Sequence, residues 1–370
     1  MFFKKTTLAF CALLCCLLLY SCHRQRPALK IGMVVNLSGI GGAGGEHCRN
    51  GVLLAIKEIN EAGGIRGRPV ELLVRDDQGT IQGAIKADME LIAQGVPVII
   101  GHNRSSTTLA AYPIITSRDI LLITACSATT RLSGKEDLFF RTCVDCGLYG
   151  RKSSKLLEGK GVATLALLMD MANPGFVTDY ASAVQRYFSG QVYQVHFKSG
   201  SGVDWDEIIH DLLLHEPDAV MLLTEATMTG IALQKLKAAG YKGLRLASLW
   251  AQMPELLQYA SEAGEDLSII TYINPELNSS RFEMFKQKMS SAFHEEANAR
   301  SAAFYELMMI LAHALDKAKA MSGPGIASAL ISERYEGLMG MLSFDKYGDV
   351  IRPVYEVTIK KGRFVLERKI

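Results

Sequence analysis

The stretch Gly101-His102-Asn103-Arg104-Ser105-Ser106-Thr107-Thr108 sets a histidine, an arginine and four consecutive hydroxyls between the apolar run 97–100 and a helix-like segment. Side chains of these types can form a nucleophile with its base, a phosphate cradle, or an anchor for a small ligand. A serine nucleophile needs a base and an acid that orients it. His102 lies three residues before Ser105, but the sequence identifies no orienting acid, and no serine stands in a G-x-S-x-G elbow. A satisfied or solvent-facing His102 is therefore the expectation, and a serine hydrolase is the weakest reading. For a phosphate cradle, "GRKSSK" and "GKGVAT" both break the spacing of a Walker loop. An anchor remains. A helix starting near Ser105 offers unsatisfied N–H groups and the positive end of its dipole, which suits an anion, most simply a carboxylate. A capping role for Ser105 or Ser106 is compatible with this.

Other constellations point less clearly. Gly39, Gly41 and Gly44 match G-x-G-x-x-G, with Asp76 and Asp77 further on. However, "SGIGGAGGEH" is longer than the turn that presses a helix onto a pyrophosphate, so a flexible glycine-rich loop at a cleft is favoured over a dinucleotide site. Cys143 and Cys146 are spaced C-x-x-C without a second such pair or paired histidines. Free thiols or a structural bridge are expected rather than a metal site, and no cofactor is expected.

These residues sit in a chain of 370 residues, 49% of them hydrophobic, enough for two lobes with large cores. Residues 1–21 carry Lys4 and Lys5 and then a short apolar run, the layout of an export signal. Leu19-Tyr20-Ser21-Cys22 resembles the lipobox of bacterial lipoproteins, in which Cys22 would bear the lipid. Ordinary cleavage or an uncleaved anchor are the alternatives. Residues 1–21 hold two lysines and no acid, so of 40 basic residues 38 remain against 38 acidic. A neutral chain lacks the basic excess of a nucleic-acid protein.

From residue 28, apolar strand-like runs alternate with amphipathic helical ones: "LKIGMVV", a helix over 46–61, "PVELLVRDD", a helix, "VPVIIG", a helix from "SSTT", and "ILLITACS". This βαβ order predicts an α/β fold with a parallel sheet covered on both faces. After "FFRTC" the alternation restarts with "VATLALLMD", "QVYQVHF", "DAVMLLTE" and "LRLASLW". Two such units read as two lobes facing each other across a cleft. Helices are expected at about 279–297 and 300–321, and the tail from Gly340 has the period-two pattern and turn signals of β-hairpins.

"LKIGMVVNLSG", "NGVLLAIKEINEAGGIRGRPVELLVRDDQGT", "VPVIIGHNRSSTTLAAYPIITSRDILLITACSATTRLS", "LFFRTC" and "GMLSFDKYGDV" together resemble the leucine/isoleucine/valine-binding proteins, type I periplasmic substrate-binding proteins that serve ABC transporters. The resemblance implies two Rossmann-like lobes with parallel central sheets joined by three hinge crossovers, near Cys143–Cys146, Tyr272–Asn274 and Gly340–Phe344. One lobe would be 28–142 plus 274–340 and the other 143–273 plus 341–370. It implies that Ser105 holds a ligand carboxylate, that Cys126 offers a backbone carbonyl, and that Thr129 stands one residue from an expected threonine at Ala128. The family's aromatic positions fall on Gly44, near Pro174 and on Glu225, and its ammonium-binding acid falls near Leu249 or Trp250. The disulfide of close relatives matches Gly79 and Arg104, which turns Arg104 toward the cleft. Glu225 is the candidate replacement acid, with helix capping as the alternative; Trp250 is a candidate wall, with a core position as the alternative.

The combined expectation is an exported, lipid-anchored receptor, not an enzyme, that traps an amino acid or related carboxylate and hands it to an ABC permease. A ligand-sensing module on the same fold is the rival. The expected contacts are Ser105, Arg104, Ser106, Cys126, Thr129, Glu225 and Trp250.

Overall fold

The computed structural model describes residues 26–39, 41–200, 202–276 and 279–370; the export signal and Cys22 lie outside them. The first lobe begins with β1 (Leu29–Val35), α1 (Gly42–Glu61), β2 (Val70–Asp76), α2 (Ile81–Ala93), β3 (Val98–Gly101), α3 (Ser105–Thr116), β4 (Leu121–Thr124) and β5 (Phe139–Arg141). Its five strands lie parallel in the order β2-β1-β3-β4-β5. Both faces are covered, which is why the strands read as continuous apolar runs. Ile31, Met33 and Val35 face the α1 side, while Val34, Ile99 and Leu122 pack with Leu91 and Ile115 of α2 and α3.

The second lobe holds α4 (Cys146–Gly159), β6 (Thr164–Asp170), α5 (Pro174–Tyr187), β7 (Gln191–Phe197), α6 (Trp205–Leu213), β8 (Ala219–Leu223), α7 (Ala226–Ala238), β9 (Leu244–Ser248), α8 (Pro254–Ala260) and β10 (Ser268–Thr271). The chain then returns as α9 (Ser280–Phe293), α10 (Ala299–Lys317) and α11 (Gly323–Ile331), and α10 packs along α1. The tail divides. Strands β11 (Arg334–Gly337), β12 (Gly340–Phe344) and β13 (Val350–Ile351) make a small antiparallel sheet, and Phe344 packs edge-on against Phe140 of β5. Only β14 (Tyr355–Lys360) and β15 (Arg363–Lys369) join the second lobe, completing the order β15-β14-β10-β9-β8-β6-β7. Sheet membership thus changes between Ile351 and Tyr355, not at Gly340, because β12 finds its partners in β11 and β13.

The glycine-rich segment expected as a flexible loop is the start of α1 instead. Gly41 takes the left-handed conformation at the N-cap, and Gly42 to Gly45 lie in the helix. A Cβ on Gly45 would stand 1.8 Å from the Asn36 carbonyl oxygen, so the glycines let α1 press onto the end of β1.

The three crossovers meet at Arg352. Its Nη1 donates to Glu306 Oε1 on α10 at 2.7 Å and to the Thr142 carbonyl at 3.0 Å, and its guanidinium lies 4.4 Å from the Tyr272 ring centroid. Thr142 begins the first crossover, Tyr272 the second, and Arg352 is itself in the third. A second buried guanidinium, Arg141, binds Asp349 Oδ1 from Nη2 at 2.6 Å and the Thr129 carbonyl at 2.8 Å.

The lobes also touch across the cleft. Ser106 Oγ donates to Asn173 Oδ1 at 3.1 Å and accepts from Gly175 N at 2.9 Å, while Thr129 Oγ1 and Thr130 N both donate to Asp179 on α5. His47 of α1 stands 3.6 Å from Glu255 of α8 and 3.2 Å from Glu295.

Two predictions follow from these contacts. Replacing Arg352 by Met leaves Glu306 buried without its cation and should lower the free energy of unfolding in urea by about 3–5 kcal/mol; a loss under about 1 kcal/mol would remove this pair from its central place. For His47, burial alone lowers the imidazole, but hydrogen bonds and charges from Glu255 and Glu295 outweigh it and the net shift is upward from the ordinary 6.5. A raised folded-state value means that this contribution is complete below pH 6.5 and fades as pH rises through the folded value. His47→Gln should therefore lose about 1 kcal/mol on the acid side and little at pH 8, measured as the difference in thermal unfolding between variant and parent. Parallel pH curves for the two proteins would count against the contact.

Candidate functional site

The corner between β3 and α3 is built by backbone geometry. Arg104 takes an extended conformation at the N-cap, and its carbonyl collects the Thr108 amide at 3.1 Å and the hydroxyls of Thr107 and Thr108 at 3.1 and 2.8 Å. Two of the four hydroxyls are therefore structural. Ser105 is 1% exposed and its Oγ has no hydrogen-bond partner among the described residues. A buried hydroxyl left so costs about 1–3 kcal/mol, which a ligand oxygen can offset. His102 is fully buried, with its Nε2 3.2 Å from Asp88 of α2. Burial works against its protonation, but the charges of Asp88 and Asp77 raise its pKa overall. Neither the satisfied nor the solvent-facing expectation for His102 describes it: the ring is buried beside a carboxylate, and neither nitrogen makes a hydrogen bond among the described residues.

Beside this corner a pocket of about 450 Å³, including the part open to solvent, lies between the lobes. The second lobe supplies Phe176 and Trp250, edge to face at 5.7 Å between ring centroids, with Asn173 and Leu249. Tyr272 and Ile273 of the second crossover close one side, and Tyr272 is fixed by its hydroxyl's bond to the Ala125 carbonyl at 3.0 Å. The first lobe supplies Asn103, Cys126 and the start of α10, with Ala299, Arg300 and Ala303.

Arg300 occupies the room that Gly44 leaves. Its Nε would stand 3.2 Å from a Cβ built on Gly44, the position where an aromatic side chain was expected from the family pattern. An Asn298 cap, with Ser301 returning a bond to the Asn298 amide, starts α10 and aims Arg300 inward. The charges of Cys126 and Cys48 raise the Arg300 pKa against its burial. Arg104 is held nearby with its guanidinium beside Gly41 and Gly79. Burial lowers its pKa, Asp77 opposes that, and the like charge of Arg300 adds to it.

Of the residues expected at the site, Cys126 and Trp250 line the pocket, and Ser105 and Arg104 flank it. Ser106 and Thr129 have their hydroxyls engaged between the lobes, as described above. Glu225 caps α7, its two oxygens accepting from Thr227 N at 3.0 Å and Met228 N at 2.7 Å. Burial raises its pKa and these two bonds partly reverse the effect. Cys143 and Cys146 are free and buried. Sequence reasoning missed Arg300, Asn103, Asn173, Phe176 and Tyr272. For Arg300 the only signal was Gly44, a missing side chain that invited a filler from elsewhere. Among the described residues no group of three or more histidine, cysteine or acidic side chains could hold a metal ion.

Comparison with known proteins places this geometry. Residues 28–363 match the model of the family described as periplasmic binding protein. The leucine-, isoleucine-, valine-, threonine- and alanine-binding protein of Pseudomonas aeruginosa is 24% identical over 330 residues, 87% of each chain. A leucine-binding protein of Thermotoga maritima superposes with a TM-score of 0.85 at 23% identity, covering 93% of this chain and 99% of its own. The solute-binding protein of an ABC transporter from R. palustris, solved with benzoate, gives 0.82 at 16% identity over 92% and 96%. The two-lobed α/β architecture is shared throughout, and with a family match over nearly all the described residues the chain belongs to the periplasmic binding proteins.

Proposed function

We propose that this chain is an exported solute-binding receptor of an ABC transporter, and that its ligand is a small carboxylate with an apolar, aromatic-sized body and no ammonium group. One observation carries the ligand class: the residues lining the pocket include a guanidinium and two asparagine amides but no aspartate or glutamate. An ammonium group buried there would meet the Arg300 guanidinium and no lining carboxylate, which costs several kcal/mol. Glu225 is not among the lining residues, and both its oxygens are turned to the α7 cap. Arg300 and the N-terminus of α3, with Ser105 Oγ, favour an anion, and the rings of Phe176, Trp250 and Tyr272 favour a flat apolar body. Family membership and relatives that bind amino acids or benzoate support the receptor reading.

We assign the ligand contacts to Ser105, Arg104, Cys126, Trp250 and Arg300, and closure of the lobes to Ser106 and Thr129. The lobes are taken as 28–142 with 274–351, and 143–273 with 355–370, on the strength of sheet membership. The basic and apolar layout of residues 1–21 supports export, and the position of Cys22 supports lipid anchoring there. Radioactive palmitate should label the parent protein in a bacterial host and not Cys22→Ser; equal labelling would discard the anchor.

Calorimetric titration tests the ligand class. Benzoate or a substituted benzoate should bind and leucine should not, whereas leucine binding with no response to aromatic acids would sink the proposal. Ser105→Ala should weaken benzoate roughly tenfold to a hundredfold, the scale of a hydrogen bond to a charged group.

A further inference from the structure

One cluster shares Cys126 and Arg300 with the proposed ligand contacts and adds a thiol, Cys48, that carboxylate binding does not use. Cys48 is wholly buried on α1, its Sγ donating to the Gly44 carbonyl at 3.0 Å. Cys126, just past β4, is partly exposed and lines the pocket. Arg300 sits against both: its Nη1 stands 3.4 Å from Cys126 Sγ, and its Nε would lie 3.2 Å from a Cβ on Gly44, the residue whose carbonyl Cys48 holds; the two thiols are near enough to shift each other's titration. Two neighbouring thiols beside one guanidinium, with one of them lining the pocket between the lobes, form an arrangement in which a thiolate can be held and reached.

The other two described thiols provide an internal contrast. Burial pushes Cys143 up to about 12 and also raises Cys146 well above the ordinary thiol range, and both are fully buried. Cys126 is brought down to about 7, first by the neighbouring Cys48 and then by the Arg300 guanidinium, against its own burial. Cys48 stays protonated, raised by burial. One thiol is therefore the attacking partner and its neighbour the resolving one.

We propose that Cys48 and Cys126 are a redox-modification site inside the ligand pocket, converted to an intramolecular disulfide by exchange with a low-molecular-weight disulfide. The Cys126 thiolate attacks one sulfur of the oxidant RSSR, forming a mixed disulfide and breaking the S–S bond of the oxidant. The departing thiolate takes the Cys48 proton. Cys48 then attacks the Cys126 sulfur and displaces the second thiolate, which takes up the proton that Cys126 had released to solvent. Two protein thiols lose two electrons and RSSR becomes two RSH. The disulfide removes the anionic sulfur that the pocket sets against Arg300.

The test uses oxidised glutathione on the mature protein across pH 6 to 9, followed by alkylation and peptide mass mapping. The expected product joins Cys48 to Cys126, with Cys143 and Cys146 alkylated. Cys48→Ser should stop at a glutathione adduct on Cys126, and Cys126→Ser should give neither adduct nor cross-link. Arg300→Gln should slow the reaction about tenfold at pH 7 and move its pH profile to the alkaline side, as a thiolate loses its cation, while Arg300→Lys keeps most of the parent rate. The proposal is overturned if no Cys48–Cys126 link forms, if the parent protein stops at the mixed disulfide, or if Cys143 or Cys146 reacts first. An unmoved pH profile in Arg300→Gln overturns the role given to the guanidinium.

Discussion

The Arg352 guanidinium lies in the interior with 1% of its side chain exposed, and what makes that position tenable is Glu306, also without exposure, at 2.7 Å. Burying either charge alone is prohibitive, so the pair must form together. Its geometry ties it to the crossovers: Arg352 holds the Thr142 carbonyl on one crossover and stacks on Tyr272 of another, while Glu306 Oε2 also accepts Met339 N at 2.7 Å. The three strands of chain between the lobes are thus locked to each other and to α10. Because α10 also begins with Arg300 and packs along α1, the same helix that anchors the hinge carries the cation of the pocket.

Most of the fold was legible because a parallel sheet buried on both faces leaves an unmistakable pattern: runs such as Val98–Gly101 and Ala219–Leu223 are buried at every position. The glycine segment before α1 was misread for a physical reason. Composition reports that these residues lack side chains but not whether the missing atoms free the backbone or make room for a neighbour, and here Asn36 takes the room at Gly45. The tail was legible as hairpins, yet pairing partners are a tertiary property, and the two-residue β13 carried no signal that β12 would stay with the first lobe.

The site was legible where backbone topology alone places it. A strand-to-helix corner at the carboxyl edge of a parallel sheet faces the cleft whatever its residues, so Ser105 could be singled out, and its unpartnered hydroxyl agrees with that use. Arg300 was not legible, because it comes to the corner from more than 170 residues downstream, and an arginine in the first turn of an amphipathic helix usually points to water. Glu225 illustrates the opposite difficulty. An acid just after a strand suits a cleft or a helix cap equally well by sequence, and only the bonds to Thr227 and Met228 decide between them.

The division of labour between the lobes bears on how a ligand would govern closure. The first lobe brings charge and polar groups, Arg300, Asn103 and the α3 terminus, and the second brings apolar area, Phe176, Trp250 and Leu249. Direct contacts between the lobes, such as Ser106 with Asn173 and Gly175, are partly exposed hydrogen bonds worth about 0.5–1.5 kcal/mol each. Bonds of that size, made in exchange for bonds to water, do not by themselves commit two hinged lobes to one arrangement. A ligand with a carboxylate at one end and an apolar body at the other completes both halves at once. Its differential affinity for the closed form then sets the population. A ligand lacking either end would satisfy one lobe and leave the other wetted, which makes the pocket selective through closure as much as through contact.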